Sequence, residues 1–218
     1  MQYRNFGKIK TAVIYGDSIS TKNHGDGGYE GSLQKALGIE RVYNHAIGSS
    51  GLCTKTPNNL VELLEKDGVI HPEAELILIW HGSNDWYWGA PIGDKDSGTD
   101  TYLGALYHVV ARLRERCPMA NIVWLTPVFR LEKPDGMPQI GEAYVTQNRA
   151  GITQRDIHRA LEEASLALCF SLVDMRRATN FHLHNHEAYT EDGIHPNARG
   201  YRKISEILLS ALDNISFA

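Results

Sequence analysis

A serine near one end of the sequence and an aspartate and a histidine near the other have side chains that suit nucleophilic catalysis. Ser18 lies in the segment GDSIS at 16–20, and Asp192 and His195 lie in DGIHP at 192–196. A serine nucleophile needs a base to take its proton and a carboxylate to orient that base. His195 can be the base, and Asp192 can orient it from the same loop. Taken separately, Ser18 is equally consistent with a helix cap, and the other two with a surface turn.

Ester or amide chemistry at a serine also needs hydrogen-bond donors for the oxyanion that forms on the carbonyl oxygen. Asn84, in GSND at 82–85, offers a side-chain amide. The backbone N–H groups of Ser18 and Gly48 are the other candidate donors. Glycine suits this role because no side chain obstructs an approaching substrate. Asp85 and Asp17 are predicted to be structural, with Asp17 shaping the turn at Ser18.

These segments are tens of residues apart, so the fold must bring them together. Apolar periodicity predicts five strands, at 10–14, 41–47, 76–80, 121–125 and 171–175, alternating with helices at 29–37, 58–66, 101–117, 146–169 and 198–212. This alternation predicts an α/β fold, a three-layer α/β/α sandwich with a five-stranded parallel sheet. Parallel strands bring their carboxyl ends to one edge, so the segments at 16–20, 48–51 and 82–85 should converge. Residues 1–218 show no repeat or linker and are expected to form a single domain.

The composition disfavours nucleic acids and membranes as partners. Of the 218 residues, 42% are hydrophobic and 22% charged, with a formal net charge of -4 and a pI of about 6.2. A nucleic-acid-binding protein would usually show a basic patch and a high pI. No run approaches the ~18 apolar residues of a membrane span. The expected partner is therefore a small molecule, and the pattern does not fix the oligomeric state.

The cysteines favour a reducing compartment. Cys53, Cys117 and Cys169 are far apart, form no Cys-x-x-Cys pair and leave at least one thiol unpaired. Residues 1–10 contain no apolar stretch suited to a signal peptide. These features predict a cytoplasmic protein with reduced thiols, although a leader that had been removed would leave the same sequence.

The four polar segments together resemble the SGNH hydrolases, also called GDSL-type esterases and lipases. The family is named for Ser, Gly, Asn and His in four blocks, which here read GDSIS at 16–20, NHAIG at 44–48, GSND at 82–85 and DGIHP at 192–196. All four occur in the family's order and frame nearly the whole chain. The first, third and last are specific matches, whereas a glycine after a strand is common. Ile19 stands where the family name has leucine, at a packing position.

The resemblance implies a flavodoxin-like sheet and hydrolysis of acyl esters. It implies Ser18 as nucleophile, His195 as base, Asp192 as its partner, and Gly48 and Asn84 as oxyanion donors. Ester hydrolysis by this route needs no cofactor and no metal.

An aromatic segment follows the predicted oxyanion donor directly. If their rings are exposed, Trp86, Tyr87 and Trp88 would suit binding of a sugar ring or an acyl chain. The other interpretation is a packed cover over the loop.

A histidine-rich segment precedes the last block. His182, His184 and His186 could place three imidazoles on one face of an extended chain, as in a metal site. No cysteine or second ligand cluster supports such a site, and the other interpretation is a polar loop that contacts substrate.

The sequence therefore predicts a serine esterase that acts on short-chain esters, with an O-acetylated carbohydrate as the first expected substrate. The aromatic segment, the polar loops and the family's habit of deacetylation favour that substrate. Lysophospholipid or thioester hydrolysis is the alternative within the same enzyme class. A catalytically silent carbohydrate-binding relative is the alternative outside it, and the retained Ser18, Asp192 and His195 argue against it. The acyl length and the alcohol are not fixed by any pattern.

Overall fold

Five parallel strands form the central sheet of the computed structural model, which describes residues 3–217. Its strands are β1 (Thr11–Gly16), β2 (Arg41–Asn44), β3 (Leu76–Trp80), β4 (Asn121–Leu125) and β7 (Ser171–Val173). They lie in the order β2-β1-β3-β4-β7, and every neighbouring pair is parallel. The remaining strands, β5 (Leu131–Glu132) and β6 (Gly141–Glu142), form a separate antiparallel hairpin. The strand order is that of flavodoxin-like folds, as the resemblance to the SGNH hydrolases implied.

Helices connect the strands and cover both faces of the sheet. They are α1 (Glu30–Leu37), α2 (Leu60–Leu63), α3 (Ser83–Tyr87), α4 (Tyr102–Arg116), α5 (Gln154–Ala167), α6 (Met175–Thr179) and α7 (Ala198–Asp213). Alternate strand side chains point to opposite faces. Val13 and Ile77 pack with α2, α4 and α5 in one core, and Ile14 and Leu78 pack with α1, α6 and α7 in the other. Two cores around one sheet make the predicted three-layer α/β/α sandwich.

The helix predicted at 146–169 begins later than its pattern indicated. In the structure, α5 starts at Gln154, after a capping box in which Thr153 and Asp156 exchange hydrogen bonds. The side-chain oxygen of Asn148 instead accepts the N–H groups of Ala150 and Ile152, which closes a turn before the helix. The periodic apolar residues all follow the capping box. They therefore predicted that a helix forms but could not predict the residue at which it begins.

Several predicted boundaries also differ from the structure. β1 extends to Gly16, whereas β2 ends at Asn44, before the predicted residue 47. The helix predicted at 58–66 is only one turn, capped by the side chain of Asn59. Two elements were not predicted: the short helix α3, and the β5–β6 hairpin between β4 and α5.

None of the helices within residues 3–217 combines the length and the apolar character that crossing a bilayer requires.

Cys53 and Cys117 are buried free thiols, and Cys169 is an exposed one.

Candidate active site

The end of β1 presents Ser18 on a short 3₁₀ turn at 18–20. The carboxylate of Asp17 caps this turn by accepting the N–H of Ile19 at 2.9 Å. Gly16 is required just before it, because a Cβ there would lie only 2.3 Å from Oγ of Ser20. The hydrogen bond from Ile19 confirms the predicted role of Asp17, which is to shape the turn at Ser18.

The loop before α7 brings an imidazole and a carboxylate to Ser18. Nε2 of His195 lies 2.9 Å from Oγ of Ser18, and Nδ1 lies 2.7 Å from Oδ2 of Asp192. The other carboxylate oxygen of Asp192 accepts the backbone N–H groups of Ile194 and His195, at 2.9 and 2.8 Å. Gly193 makes this tight path possible with a φ of +84°. The structure thus aligns hydroxyl, imidazole and carboxylate in the order that proton transfer requires.

The electrostatics of this loop keep Asp192 ionised. Partial burial by itself would raise the pKa of Asp192. Hydrogen bonds from the backbone N–H and ring of His195 and from the N–H of Ile194 outweigh that effect, so the pKa lies below its ordinary value. A carboxylate that stays charged can both orient the imidazole and stabilise its cation.

Gly48 reaches the same edge because the chain continues alongside β1 after β2 ends. The N–H groups of His45 and Ile47 donate to the carbonyls of Ile14 and Gly16, which carries Gly48 toward the turn at 18–20. A Cβ built on Gly48 would meet no atom within 4 Å, so the space beside it is open. Within residues 3–217, the N–H groups of Ser18 and Gly48 have no hydrogen-bond acceptor.

Asn84 lies in the first turn of α3, directly after β3, and is buried. Its side-chain amide donates to the carbonyl of Ser50 at 2.9 Å, and its oxygen accepts from Nη1 of Arg130 at 3.0 Å. A guanidinium can only donate, so the amide oxygen must face Arg130 and the NH₂ group must face the loop at 48–51. One N–H remains for a ligand.

The loop at 48–51 is held in a backbone conformation that few side chains adopt. Ser49 has a φ of +61°. The indole N–H of Trp88 donates to the carbonyl of Ser49 at 3.2 Å, and the hydroxyl of Ser50 donates to the carbonyl of Ile47 at 2.7 Å. These contacts fix the path of the chain immediately after Gly48.

Asp85 connects α3 to the segment that follows this loop. It is fully buried, and its carboxylate accepts the N–H groups of Leu52 and Cys53 at 2.9–3.0 Å. Burial raises the pKa of Asp85. The predicted structural role of Asp85 is confirmed.

Of the two interpretations of the aromatic segment, the packed cover is correct for Trp86, which is therefore not a substrate-binding residue. Its side chain is 0% exposed, and its indole N–H donates to the carbonyl of Thr146 at 2.8 Å. The ring packs in the same core cluster as Val13 and Ile77. Tyr87 and Trp88 are half-buried, with ring centroids 4.8 Å apart and edge to face. They remain candidates for substrate contact.

The histidine-rich segment does not present three imidazoles on one face. The rings of His182 and His184 are 6.1 Å apart and inclined by 62°, whereas His186 stacks on Phe129 at 5.2 Å. Between Tyr3 and Phe217 no group of three or more His, Cys, Asp or Glu side chains is arranged to hold a metal ion.

Two side chains beside the site were not predicted from the sequence. His24 stacks on His195 with centroids 3.9 Å apart, and its Nδ1 lies 3.0 Å from the carboxylate of Glu191. The only signal for His24 was its place in the loop that follows Ser18. Arg130, described above, lies in a segment with no recognisable pattern.

Comparison with known proteins is consistent with this arrangement. Residues 14–203 match the model of the GDSL-like Lipase/Acylhydrolase family. No curated protein matches the sequence.

Solved structures share the fold. A protein from Lactobacillus plantarum is 21% identical, with a TM-score of 0.82 over 95% of this chain and 98% of that one. A possible lipase from Chitinophaga pinensis is 19% identical, with a TM-score of 0.73 over 95% and 99%. An acetyl xylan esterase, AlAXEase, is 21% identical, with a TM-score of 0.64 over 93% and 99%. At these identities the likeness shows the fold alone.

Asp17 should give the protein a pH-dependent stability that Asp17→Asn removes. Burial, partly offset by the Ile19 N–H and the charge of Arg130, raises the pKa of Asp17 to about 6, against about 3.9 in an unfolded chain. Between these values unfolding releases a proton, so this contribution to stability falls as pH rises. The free energy of unfolding of the variant, relative to wild type, should rise by about 2–3 kcal/mol between pH 4 and pH 7.

Denaturant unfolding at several pH values measures this difference, with Asp96→Asn at an exposed loop position as the matched control. A difference between variant and wild type that does not change with pH would contradict the account of Asp17.

Proposed function

The chain belongs to the GDSL-like lipase/acylhydrolase family, and from that premise we propose that it is a serine esterase that hydrolyses short-chain carboxylic esters through an acyl-enzyme. The observation that carries the proposal is the contact of Ser18 Oγ with His195 Nε2 at 2.9 Å, continued by Nδ1 to Asp192 at 2.7 Å. Members of the family act on esters, and this arrangement supplies the nucleophile and base that such a reaction needs.

In the first half of the reaction, Oγ of Ser18 attacks the ester carbonyl carbon while Nε2 of His195 takes the hydroxyl proton. Asp192 holds the ring and stabilises its cation. The negative charge that forms on the carbonyl oxygen is met by the N–H groups of Ser18 and Gly48 and by the side-chain amide of Asn84. The tetrahedral intermediate then expels the alcohol, which takes the proton from His195.

The second half repeats these steps with water. His195 takes a proton from the water as it attacks the acyl carbonyl, and the same three donors stabilise the new oxyanion. Collapse of this intermediate releases the carboxylic acid, and Ser18 recovers its proton from His195. One ester and one water give one acid and one alcohol, with no cofactor in the balance.

An O-acetylated carbohydrate is the proposed substrate class, and the surroundings of Ser18 support it. A polar surface cavity of about 450 Å³ begins at Thr21, next to the turn at 18–20. It is lined by Thr21, Lys22, Asn23, Glu30, Val42, Asn44 and Ala46, and no proposed catalytic or oxyanion residue is among them. In this cavity Lys22 Nζ lies 2.7 Å from Glu30 Oε1, and the side-chain amide of Asn44 donates to Glu30 Oε2 at 2.8 Å. A polar surface of this kind suits an alcohol part that carries hydroxyls. Trp88, tied to the loop at 48–51, offers a partly exposed ring for a sugar face. One solved structure of the same fold is that of an acetyl xylan esterase, which supports this substrate class.

Ser18→Ala should lower kcat for p-nitrophenyl acetate by about 10⁴-fold or more, because loss of the nucleophile leaves only binding and the oxyanion donors. Ser210→Ala, at an exposed position of α7, is the matched control and should retain activity. Steady-state kinetics measure both variants, and circular dichroism checks that both are folded.

Full turnover by Ser18→Ala would end the proposal. A wild-type protein that cleaves no ester, and whose Ser18 does not react with a fluorophosphonate, would indicate the silent carbohydrate-binding relative instead.

Substitutions of Trp88 test the carbohydrate part of the proposal. Trp88→Ala should raise KM for acetylated xylose by about 10-fold, a loss of roughly 1.4 kcal/mol that is typical of an aromatic contact. KM for p-nitrophenyl acetate should change much less. Trp88→Phe keeps a ring but loses the N–H that holds Ser49, so it should restore KM for the sugar while lowering kcat for both substrates.

Equal changes in KM for the two substrates would contradict a sugar platform. An ester panel that favoured decanoyl chains, lysophospholipids or thioesters over acetylated sugars would replace the proposed substrate class.

A further inference from the structure

Arg130 is a buried cation whose contacts lead to the proposed oxyanion donor. Only 6% of the residue is exposed. Nη1 donates to Oδ1 of Asn84 at 3.0 Å and to Oγ of Ser83 at 3.1 Å. Nε and Nη2 bind the carboxylate of Glu132 on β5. One guanidinium thus spans α3 and the β5–β6 hairpin.

Two aromatic rings of α3 pack against the same guanidinium. Its central carbon lies 5.0 Å from the ring centroid of Tyr87 and 5.7 Å from that of Trp86. These distances are within the range of cation–π attraction. The buried Trp86, which offers nothing to a substrate, therefore has a physical role in holding Arg130. The planar fork of arginine is what allows contacts to Glu132 and Asn84 at once, and lysine could not reproduce them.

The contact with Asn84 has two consequences for its amide. It fixes the orientation of the amide, since an oxygen that accepts from a guanidinium leaves the NH₂ group facing Ser50 and the open site. It also places a positive charge next to the amide oxygen, which draws electrons from the nitrogen and makes the remaining N–H a stronger donor. Both effects act where negative charge develops in the transition state.

We propose that Arg130 is a positioning residue of the oxyanion hole, which orients and polarises the Asn84 amide so that it stabilises the tetrahedral intermediate. This inference rests on the proposed esterase function and on the proposed role of Asn84. Arg130 itself does not contact the substrate.

The alternative is that Arg130 only stabilises the fold through its ion pair, and the chain offers a matched residue to test it. Arg176 is also largely buried, pairs with Glu142 and lies 4.5 Å from the ring centroid of Tyr144. Within the part of the chain that the structure describes, its side chain bonds to none of the proposed catalytic or oxyanion residues. Arg176→Gln therefore measures the general cost of losing a buried, paired arginine beside an aromatic ring.

A double-mutant cycle on kcat for p-nitrophenyl acetate tests the inference. Asn84→Ala should lower kcat by about 10²–10³-fold, and Arg130→Gln by about 10-fold or more, with little change in KM. In the Asn84→Ala background, Arg130→Gln should lower kcat by less than about 3-fold, because the group it acts through is gone. Arg176→Gln should leave kcat within about 2-fold of wild type.

A loss from Arg130→Gln that is equally large in both backgrounds would overturn the inference, and so would an equal loss from Arg176→Gln. Thermal unfolding shows whether Arg130→Gln is folded. If it is not, Arg130→Lys replaces it in the cycle, because this variant keeps the charge and loses the planar fork. Arg130→Lys should lower kcat by less than Arg130→Gln, and this loss should likewise become smaller in the Asn84→Ala background.

The outcomes separate this inference from the proposed function. Retained turnover in Ser18→Ala would remove the esterase mechanism altogether. Large losses in Ser18→Ala and Asn84→Ala, with no coupling between Asn84 and Arg130, would leave the mechanism in place and remove only the role of Arg130.

Discussion

The contact between His195 Nε2 and Ser18 Oγ joins residues 177 positions apart, and the fold must hold both ends of that contact. Ser18 is fixed at the end of a fully buried strand, β1. The His195 loop is anchored by α7, whose Tyr201 hydroxyl donates to the carbonyl of Ile19 at 2.9 Å. Tyr201, Ile204 and Leu208 in turn pack in the core beneath β1. The hydrophobic core thus sets the distance between Ser18 Oγ and His195 Nε2, which no local sequence feature could set.

Buried charges form a second constraint beneath the site. Asp17 shapes the turn at Ser18, Asp85 anchors the segment after Gly48, and Arg130 holds Asn84. Burial raises the pKa values of both carboxyls, and the charge of Arg130 opposes that effect at Asp17. Buried charged groups are costly unless they are hydrogen-bonded. One of these buried charged groups lies near each proposed oxyanion donor. The orientation of the donors is therefore maintained at some cost to the stability of the fold.

Local patterns in the sequence were sufficient for the fold and for the order of its strands. β3 and β4 could be predicted at their observed limits because each is a short apolar run, and Ser18, Gly48 and Asn84 lie a few residues after the ends of β1, β2 and β3. The start of α5 could not, because it depends on a capping box and a turn at Asn148 rather than on periodicity.

Side-chain contacts across the fold were beyond prediction for a related reason. The burial of Trp86, the stacking of His24 on His195 and the fork of Arg130 each depend on partners far along the chain. Residue type alone did not decide between an exposed and a packed tryptophan, and it gave no reason to single out His24 or Arg130. These residues became evident only when the tertiary contacts were known.

A crystal structure of the protein after reaction with diethyl p-nitrophenyl phosphate would test the central claim most directly. The account predicts phosphorus bonded to Oγ of Ser18, with the phosphoryl oxygen about 2.7–3.1 Å from the backbone nitrogens of Ser18 and Gly48 and the amide nitrogen of Asn84. An adduct on any other residue, or a phosphoryl oxygen that points away from all three nitrogens, would contradict it.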